Sequence, residues 1–104
     1  MMLLQDILYK AGLEELIGST NLAVEKICSD SRLADPLSAF IAVRGTQTDG
    51  HKFIDSALDQ GCNIIICETL PDVQRPEVTY VRVKDSQKAL GVIASNLYGN
   101  PSEK

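Results

Sequence analysis

With 104 residues, the chain has the size of one domain with a single hydrophobic core. Hydrophobic residues make up 44% and charged residues 23% of the chain, which is typical of a globular protein. The formal net charge of −4, with Lys and Arg scattered along the chain, argues against nucleic acid or a membrane surface as a partner.

The first residues, MMLLQDIL, are apolar, but they lack a basic leader and are too short to span a bilayer. Leu4, Leu8 and Ala11 fall at helical spacing, which predicts a short amphipathic helix. We therefore expect a cytoplasmic protein.

The rest of the chain alternates between strand and helix patterns. Strands are predicted over residues 23–29, 40–43, 63–67 and 78–83, because these runs are apolar or rich in β-branched residues. A helix is predicted after Asp49, with an apolar stripe of Phe53, Ile54, Ala57 and Leu58 and a stop at Gly61. A last helix follows Asp85, with its inner face at Ala89, Leu90, Ile93, Ala94 and Leu97. The expected fold is a small three-layer α/β domain, with a mostly parallel sheet of about four or five strands and helices on both faces.

Two loops carry more polar groups than a turn requires. Ser29-Asp-Ser-Arg32 follows the first predicted strand, and Gly45-Thr-Gln-Thr-Asp-Gly50 follows the second. If those strands run parallel, both loops lie at the sheet edge where open α/β folds bind ligands. The second loop also precedes a helix start, which favours an anion such as phosphate. The pattern suits a phosphorylated or sugar-bearing small molecule, and no catalytic triad or ATP-binding loop accompanies it.

Simpler interpretations apply to several of these residues. Thr48-Asp-Gly50 also fits turn chemistry with a helix cap, and Asp30 with Arg32 also fits a surface ion pair. His51 is expected to be solvated or to support other residues, since a catalytic histidine needs a partner. The three cysteines, Cys28, Cys62 and Cys67, match no usual zinc spacing and are expected in the core, so no metal site is predicted.

Four motifs occur in succession: SDSR at 29–32, FIAVRG at 40–45, TDGH at 48–51 with Phe53-Ile54 following, and GCNIIICE at 61–68. In order and spacing they resemble the N-terminal, UDP-binding domain of the Mur ligases, and most closely the MurE type. The similarity extends from about Ile27 to Pro101. It implies a ligase that adds the third amino acid, diaminopimelate or lysine, to the peptidoglycan precursor UDP-N-acetylmuramoyl-L-alanyl-D-glutamate.

The resemblance also implies site residues. Ser29 and Ser31 match the first substrate-binding loop, and Thr46, Gln47 and Thr48 match the second. The supporting positions are Asp30, Arg32, Asp49, Gly50 and His51. One position departs from the family pattern, because Leu37-Ser38 stands where the family usually has Gly-Asp before the second strand. A leucine there would be strained if the turn needed a positive φ.

In that family, an amide forms at the expense of ATP through an acyl phosphate, with magnesium ions and a carbamylated lysine. The resemblance assigns those parts to central and C-terminal domains that would follow this one. Residues 1–104 are then a single substrate-binding domain, inactive alone, with no catalytic residue, metal or cofactor of its own. Its partners would be UDP-N-acetylmuramoyl-dipeptide and the other two domains. The alternatives are the N-terminal domain of a MurF-type ligase, which adds D-Ala-D-Ala, and a free-standing α/β binding module.

Overall fold

The computed structural model describes residues 2–43 and 50–99 of the chain. Its strands, in chain order, are β1 (Met2–Leu3), β2 (Leu13–Ile17), β3 (Ala23–Val24), β4 (Lys26–Cys28), β5 (Ser38–Ile41), β6 (Ile64–Cys67) and β7 (Thr79–Val83). Its α-helices are α1 (Leu4–Ile7), α2 (Ile54–Asp59) and α3 (Ser86–Tyr98), and 3-10 turns cover Ser31–Leu33 and Gly50–Phe53. Among the described residues, no helix is both long and apolar enough to cross a lipid bilayer.

In the described part of the chain, the main sheet has five strands in the order β2-β7-β6-β5-β4. Strands β4 to β7 run parallel to one another, whereas β2 pairs antiparallel with β7. The short strands β1 and β3 pair separately. The predicted mostly parallel sheet is confirmed. Because β4, β5, β6 and β7 all end on the same side of the sheet, the segments that follow them lie along one edge, which we call the carboxyl edge.

Both faces of the sheet are covered, and β6 shows how. Ile64 and Ile66 belong to the core cluster that contains residues of α1 and α3. Ile65 and Cys67 belong to the opposite cluster, which contains residues of α2. A strand that is buried on both faces has no polar alternation, and this explains the apolar run that the sequence shows there. The predicted three-layer arrangement is confirmed.

Strand β2 is an element that the sequence pattern does not predict. Most of its residues are exposed, Leu13 and Leu16 among them, and the segment has no alternation of apolar and polar positions. It is a strand because it pairs with β7, with Leu16 opposite Val81 and Ile17 opposite Tyr80. Its identity as an edge strand therefore depends on a partner about 65 residues away in sequence.

The N-terminal elements are shorter than predicted. The helix α1 is a single turn, although Leu4, Leu8 and Ala11 are buried as their spacing indicates. The predicted strand over residues 23–29 is divided between two sheets, because β3 pairs with β1 and β4 pairs with β5. Propensity alone does not reveal such a division, since both halves are extended.

The helix after β5 begins later than predicted and has a narrower apolar face. Gly50–Phe53 forms a 3-10 turn, and α2 starts at Ile54. Ile54, Ala57 and Leu58 are buried as predicted, but Phe53 is 40% exposed because the tighter turn takes it off that face. Asp49, the predicted cap, lies outside the described residues.

The predicted helix ends are confirmed where the structure describes them. Gly61, the predicted stop, has a φ of +96°, in the left-handed region that glycine adopts without strain after a helix, and Gly99 likewise follows α3 with a φ of +81°. Asp85 caps α3, and its Oδ1 accepts a hydrogen bond from the amide of Lys88 at 3.1 Å.

Candidate functional site

The first polar loop and the two described flanks of the second lie at the same edge of the sheet. Strands β4 and β5 pair in parallel, with Ile27 opposite Ala39 and Cys28 opposite Phe40. Ser29 follows β4 directly, and Val43 lies two residues beyond the end of β5. This parallel pairing is the condition on which the sequence analysis based its ligand site, and it is met.

Asp30 and Arg32 organise the first loop. One carboxylate oxygen of Asp30 accepts the amide of Arg32 at 2.9 Å and so caps the 3-10 turn Ser31–Leu33. The other oxygen accepts from Nη2 of Arg32 at 2.7 Å. These hydrogen bonds lower the pKa of Asp30 from 3.8 to about 2. The surface ion pair that the sequence allows is therefore present, and Asp30 is a stable anion with no tendency to act as a general acid.

A surface hollow of about 550 Å³ opens beside this loop, and we call it the edge hollow. It is lined by Ser29, Asp30, Ser31, Arg32 and Phe53. Ser29 is exposed and Ser31 is only 8% exposed. The structure thus brings four predicted site residues of the first loop together and adds an aromatic ring that the sequence analysis placed on a buried helix face. The spacing of Phe53 from Ala57 indicated burial, so no local pattern could have identified it as a site residue.

The second loop is described only at its two flanks. Thr46, Gln47, Thr48 and Asp49 lie outside the described residues, so their roles stay predictions. The amide of Gly50 donates to the carbonyl oxygen of Val43 at 2.9 Å. A Cβ atom at Gly50 would lie 2.8 Å from the Val43 nitrogen. Gly50 is therefore required by this close approach of two backbone segments, and its place as a supporting residue of the site stays a prediction.

His51 lies beside the edge hollow and does not line it. Its Nε2 atom accepts hydrogen bonds from the amides of Glu68 at 3.0 Å and Thr69 at 3.2 Å. Both donors follow β6, so the ring connects the segment after β5 to the segment after β6. The expectation that His51 supports other residues agrees with this geometry.

The turn that departs from the family pattern is formed without a glycine. The Ser38 amide donates to the Asp35 carbonyl at 3.1 Å, and the Leu37 amide donates to the Asp35 carboxylate at 2.9 Å. Among the described residues, Lys10 is the non-glycine residue with a positive φ, so Leu37 is not strained. Fully buried Ser38 accepts the Asp35 amide at 2.8 Å. The turn is simply of another type, and β5 keeps its place.

The described residues at the carboxyl edge offer groups that suit ligand binding. No group of three or more His, Cys, Asp or Glu residues within 2–43 and 50–99 could hold a metal ion. Cys28, Cys62 and Cys67 are buried free thiols, and burial raises the pKa of each of them, for Cys67 to about 11. Hydroxyls, an ion pair and an aromatic ring at a sheet edge suit the binding of a polar small molecule.

The fold and the site together are those of an α/β domain with a candidate ligand-binding edge at the carboxyl ends of parallel strands. Comparison with known protein families shows to which family this α/β domain belongs. A family model described as "Mur ligase family, catalytic domain" matches residues 23–98. The chain belongs to the Mur ligase family, as its motifs suggested.

Several curated relatives are similar over the whole chain. The relative from Cytophaga hutchinsonii is 44% identical over 104 residues, which is 99% of this chain and 21% of that protein. The relatives from Phocaeicola vulgatus and Clostridium tetani are each 39% identical over 99% of this chain. All three are named UDP-N-acetylmuramoyl-L-alanyl-D-glutamate–2,6-diaminopimelate ligase. The chain spans about a fifth of the length of these relatives.

Solved structures of a related type share the fold. A crystal structure of MurF from Acinetobacter baumannii superposes with a TM-score of 0.71 at 29% identity, over 86% of this chain and 19% of that chain. MurF ligase from Thermotoga maritima, in complex with ADP, gives a TM-score of 0.56 at 30% identity, over 67% of this chain and 16% of that chain.

Proposed function

We propose that residues 1–104 form the substrate-binding domain of an ATP-dependent ligase of peptidoglycan synthesis. The ligase adds the third amino acid to UDP-N-acetylmuramoyl-L-alanyl-D-glutamate, and this domain binds the UDP end of that substrate. The observation that supports the proposal is the edge hollow: residues 29–32, which match the family's first binding loop by resemblance, line it at the carboxyl edge together with Phe53. We take the third amino acid to be diaminopimelate, because the relatives at 39–44% identity are named for it.

Each part of the hollow has a role in this proposal. The hydroxyls of Ser29 and Ser31 bind polar groups of the nucleotide or sugar, and Thr46, Gln47 and Thr48 complete the site from the second loop. The ring of Phe53 offers a face for the uracil base, since bases stack on exposed aromatic side chains regardless of sequence. Asp30 and Arg32 fix the shape of the first loop, and Asp49, Gly50 and His51 fix the end of the second.

ATP and magnesium belong to the rest of the proposed enzyme. The described residues contain no candidate metal cluster, and the sequence lacks a G-x-x-x-x-G-K-[ST] loop for ATP phosphates. In the proposed enzyme, central and C-terminal domains supply these cofactors and the residues that select the amino acid. This domain contributes affinity and orientation, so it is inactive alone.

The MurF-type ligase is the second candidate, and the superposition on MurF structures favours it. Its sequence identity of 28–30% is lower than the 39–44% found with the diaminopimelate ligases, so the latter function is better supported. The two candidates predict the same UDP site but different lengths of peptide on the substrate. A preference of the full-length enzyme for the UDP-muramoyl tripeptide as acceptor of D-Ala-D-Ala would favour the MurF type.

A titration tests the proposal directly. UDP-N-acetylmuramoyl-L-alanyl-D-glutamate is added to the ¹⁵N-labelled chain, and the amide resonances are followed. We expect shifts at Ser29 to Arg32 and at residues 46–53, with UDP alone reproducing most of them. The substitution Ser31→Ala should weaken binding, whereas Glu77→Gln, on the exposed loop before β7, should not. Shifts confined to other parts of the chain would overturn the site.

A further inference from the structure

A chain of hydrogen bonds runs along the carboxyl edge and joins segments that follow three adjacent strands. His51, which follows β5, accepts from the amides of Glu68 and Thr69 after β6 at 3.0 and 3.2 Å. Glu68 Oε2 in turn accepts from the amide of Ser86 at 2.8 Å and from its hydroxyl at 2.9 Å. Ser86 is the first residue of α3, which follows β7. We call these four residues the edge network.

Ser86, the buried member of the edge network, is costly to leave without hydrogen-bond partners. Ser86 is fully buried, so its hydroxyl and amide need acceptors inside the protein, and Glu68 supplies both. A carboxylate is also a stronger acceptor than a neutral oxygen. An imidazole nitrogen accepts a hydrogen bond only where it carries no proton, so the ring of His51 presents a bare Nε2 to the end of β6. Each bond of the network therefore has a defined donor and a defined acceptor: backbone amides donate to His51, and the amide and hydroxyl of Ser86 donate to Glu68.

One short turn connects the edge network to the edge hollow. His51 and Phe53 lie in the same 3-10 turn, Gly50–Phe53, and Phe53 lines the hollow. At its start, this turn is joined to the segment just after β5 by the hydrogen bond from the Gly50 amide to the Val43 carbonyl oxygen. Phe53 is 40% exposed, so its ring packs only partly against the rest of the described chain. The bonds of His51 connect the turn that carries this aromatic wall to the end of β6.

We infer that His51 and Glu68 are positioning residues for the edge hollow: through the edge network they fix the turn that carries Phe53 relative to the ends of β6 and β7. The consequence for binding rests on the proposed function, because it assumes that the hollow receives the UDP end of the substrate. The positioning itself does not depend on the ligand and is measurable without it.

The experiment compares His51→Ala with His51→Gln, because a glutamine side chain can place an acceptor oxygen near the position of Nε2. Lys52→Ala, at the exposed neighbouring residue, serves as the matched control. In the ligand-free chain, we expect His51→Ala to accelerate hydrogen exchange of the Glu68 and Thr69 amides and to move the ring resonances of Phe53. His51→Gln and Lys52→Ala should leave both close to the wild type. Unchanged Phe53 resonances in His51→Ala would overturn the inference.

Affinity supplies the second readout. His51→Ala should weaken binding of UDP-N-acetylmuramoyl-L-alanyl-D-glutamate about tenfold, and His51→Gln should restore it to within about threefold. Ile93→Val, a change in the core under α3, lowers stability without touching the edge network and separates loss of stability from loss of positioning. Equal weakening by Ile93→Val and His51→Ala would overturn the inference.

A wild-type chain that binds no UDP-substrate would refute the proposed function, while the ligand-free comparison still decides whether His51 positions Phe53.

Discussion

The carboxylate of Asp30 holds the guanidinium group of Arg32 two residues further along the chain, with Oδ2 2.7 Å from Nη2 and both oxygens within 3.2 Å of Nε. The same carboxylate accepts the amide of Arg32. The pair therefore closes the first loop on itself and gives the edge hollow one of its walls. It also occupies Arg32, which lines the hollow, so an anionic ligand must compete with Asp30 for this guanidinium group.

The first prediction concerns the titration of Asp30. Its pKa is lowered to about 2 by the hydrogen bonds from Arg32, so the pair's contribution to stability is complete above pH 3.8. It is lost as the pH falls from about 4 towards 2, and its size is small because both side chains are at the surface. A carboxyl NMR titration of the chain should give a midpoint near 2 for Asp30, and Arg32→Gln should return it towards 3.8. A midpoint near 3.8 in the wild type would show that the pair is not formed in solution.

The second prediction separates two adjacent residues, Phe53 and Ile54. Ile54 is 5% exposed, so Ile54→Ala should lower the free energy of unfolding by about 2–4 kcal/mol. Phe53→Ala should lower it by less than about 1 kcal/mol because the ring is 40% exposed. The same substitution should weaken UDP binding roughly tenfold or more through lost stacking. Chemical denaturation and calorimetric titration measure the two effects, and the interpretation fails if Phe53→Ala unfolds the protein as readily as Ile54→Ala.

The third prediction compares two glycines, Gly50 and Gly91. A Cβ atom at Gly50 would lie 2.8 Å from the Val43 nitrogen and 3.2 Å from the Ala42 Cα, so Gly50→Ala must displace backbone. We expect a loss of about 1–3 kcal/mol in the free energy of unfolding. Gly91 lies within α3 with open space around its Cα, so Gly91→Ala should stabilise by about 0.5–1 kcal/mol. Thermal unfolding of both variants is the measurement, and a stable Gly50→Ala protein would contradict the close approach.

The fourth prediction concerns the reactivity of the cysteines. All three thiols are buried, and burial raises their pKa values, that of Cys67 to about 11. Since the thiolate is the reactive form, alkylation at pH 7 should be slow in the native protein and fast in denaturant. Mass spectrometry after timed iodoacetamide treatment counts the modified sites. Rapid native labelling of any one cysteine would speak against its place in the core.

The apolar strands were the most predictable elements. Residues 64–67 and 79–83 are strands within the predicted bounds, because the first run is continuously apolar and the second is rich in β-branched and aromatic residues. The helix start after Asp85 and the helix end at Gly61 were predicted equally well, because each depends on the conformation and hydrogen bonds of backbone within a few residues. The polar residues of the first loop were also identified correctly as neighbours at one edge.

Other features depend on partners that are distant in sequence. Strand β2 is defined by its pairing with β7, and the division between β3 and β4 is defined by which sheet each half joins. The exposure of Phe53 follows from a 3-10 turn whose start is fixed by the close approach of Gly50 to Val43. The bonds from His51 to the end of β6 likewise join residues 17 and 18 positions apart. None of these pairings can be predicted from a short stretch of sequence.

The motifs identified the family by resemblance, and local patterns predicted the parallel core strands and the polar first loop, because apolar burial, helix caps and loop chemistry depend on adjacent residues. Tertiary structure alone decided which strand lies at the β7 edge, that Phe53 faces the hollow and that His51 connects two strand ends. The physical reason is that these features come from hydrogen bonds and close contacts between distant segments, whose formation depends on how the whole sheet is ordered.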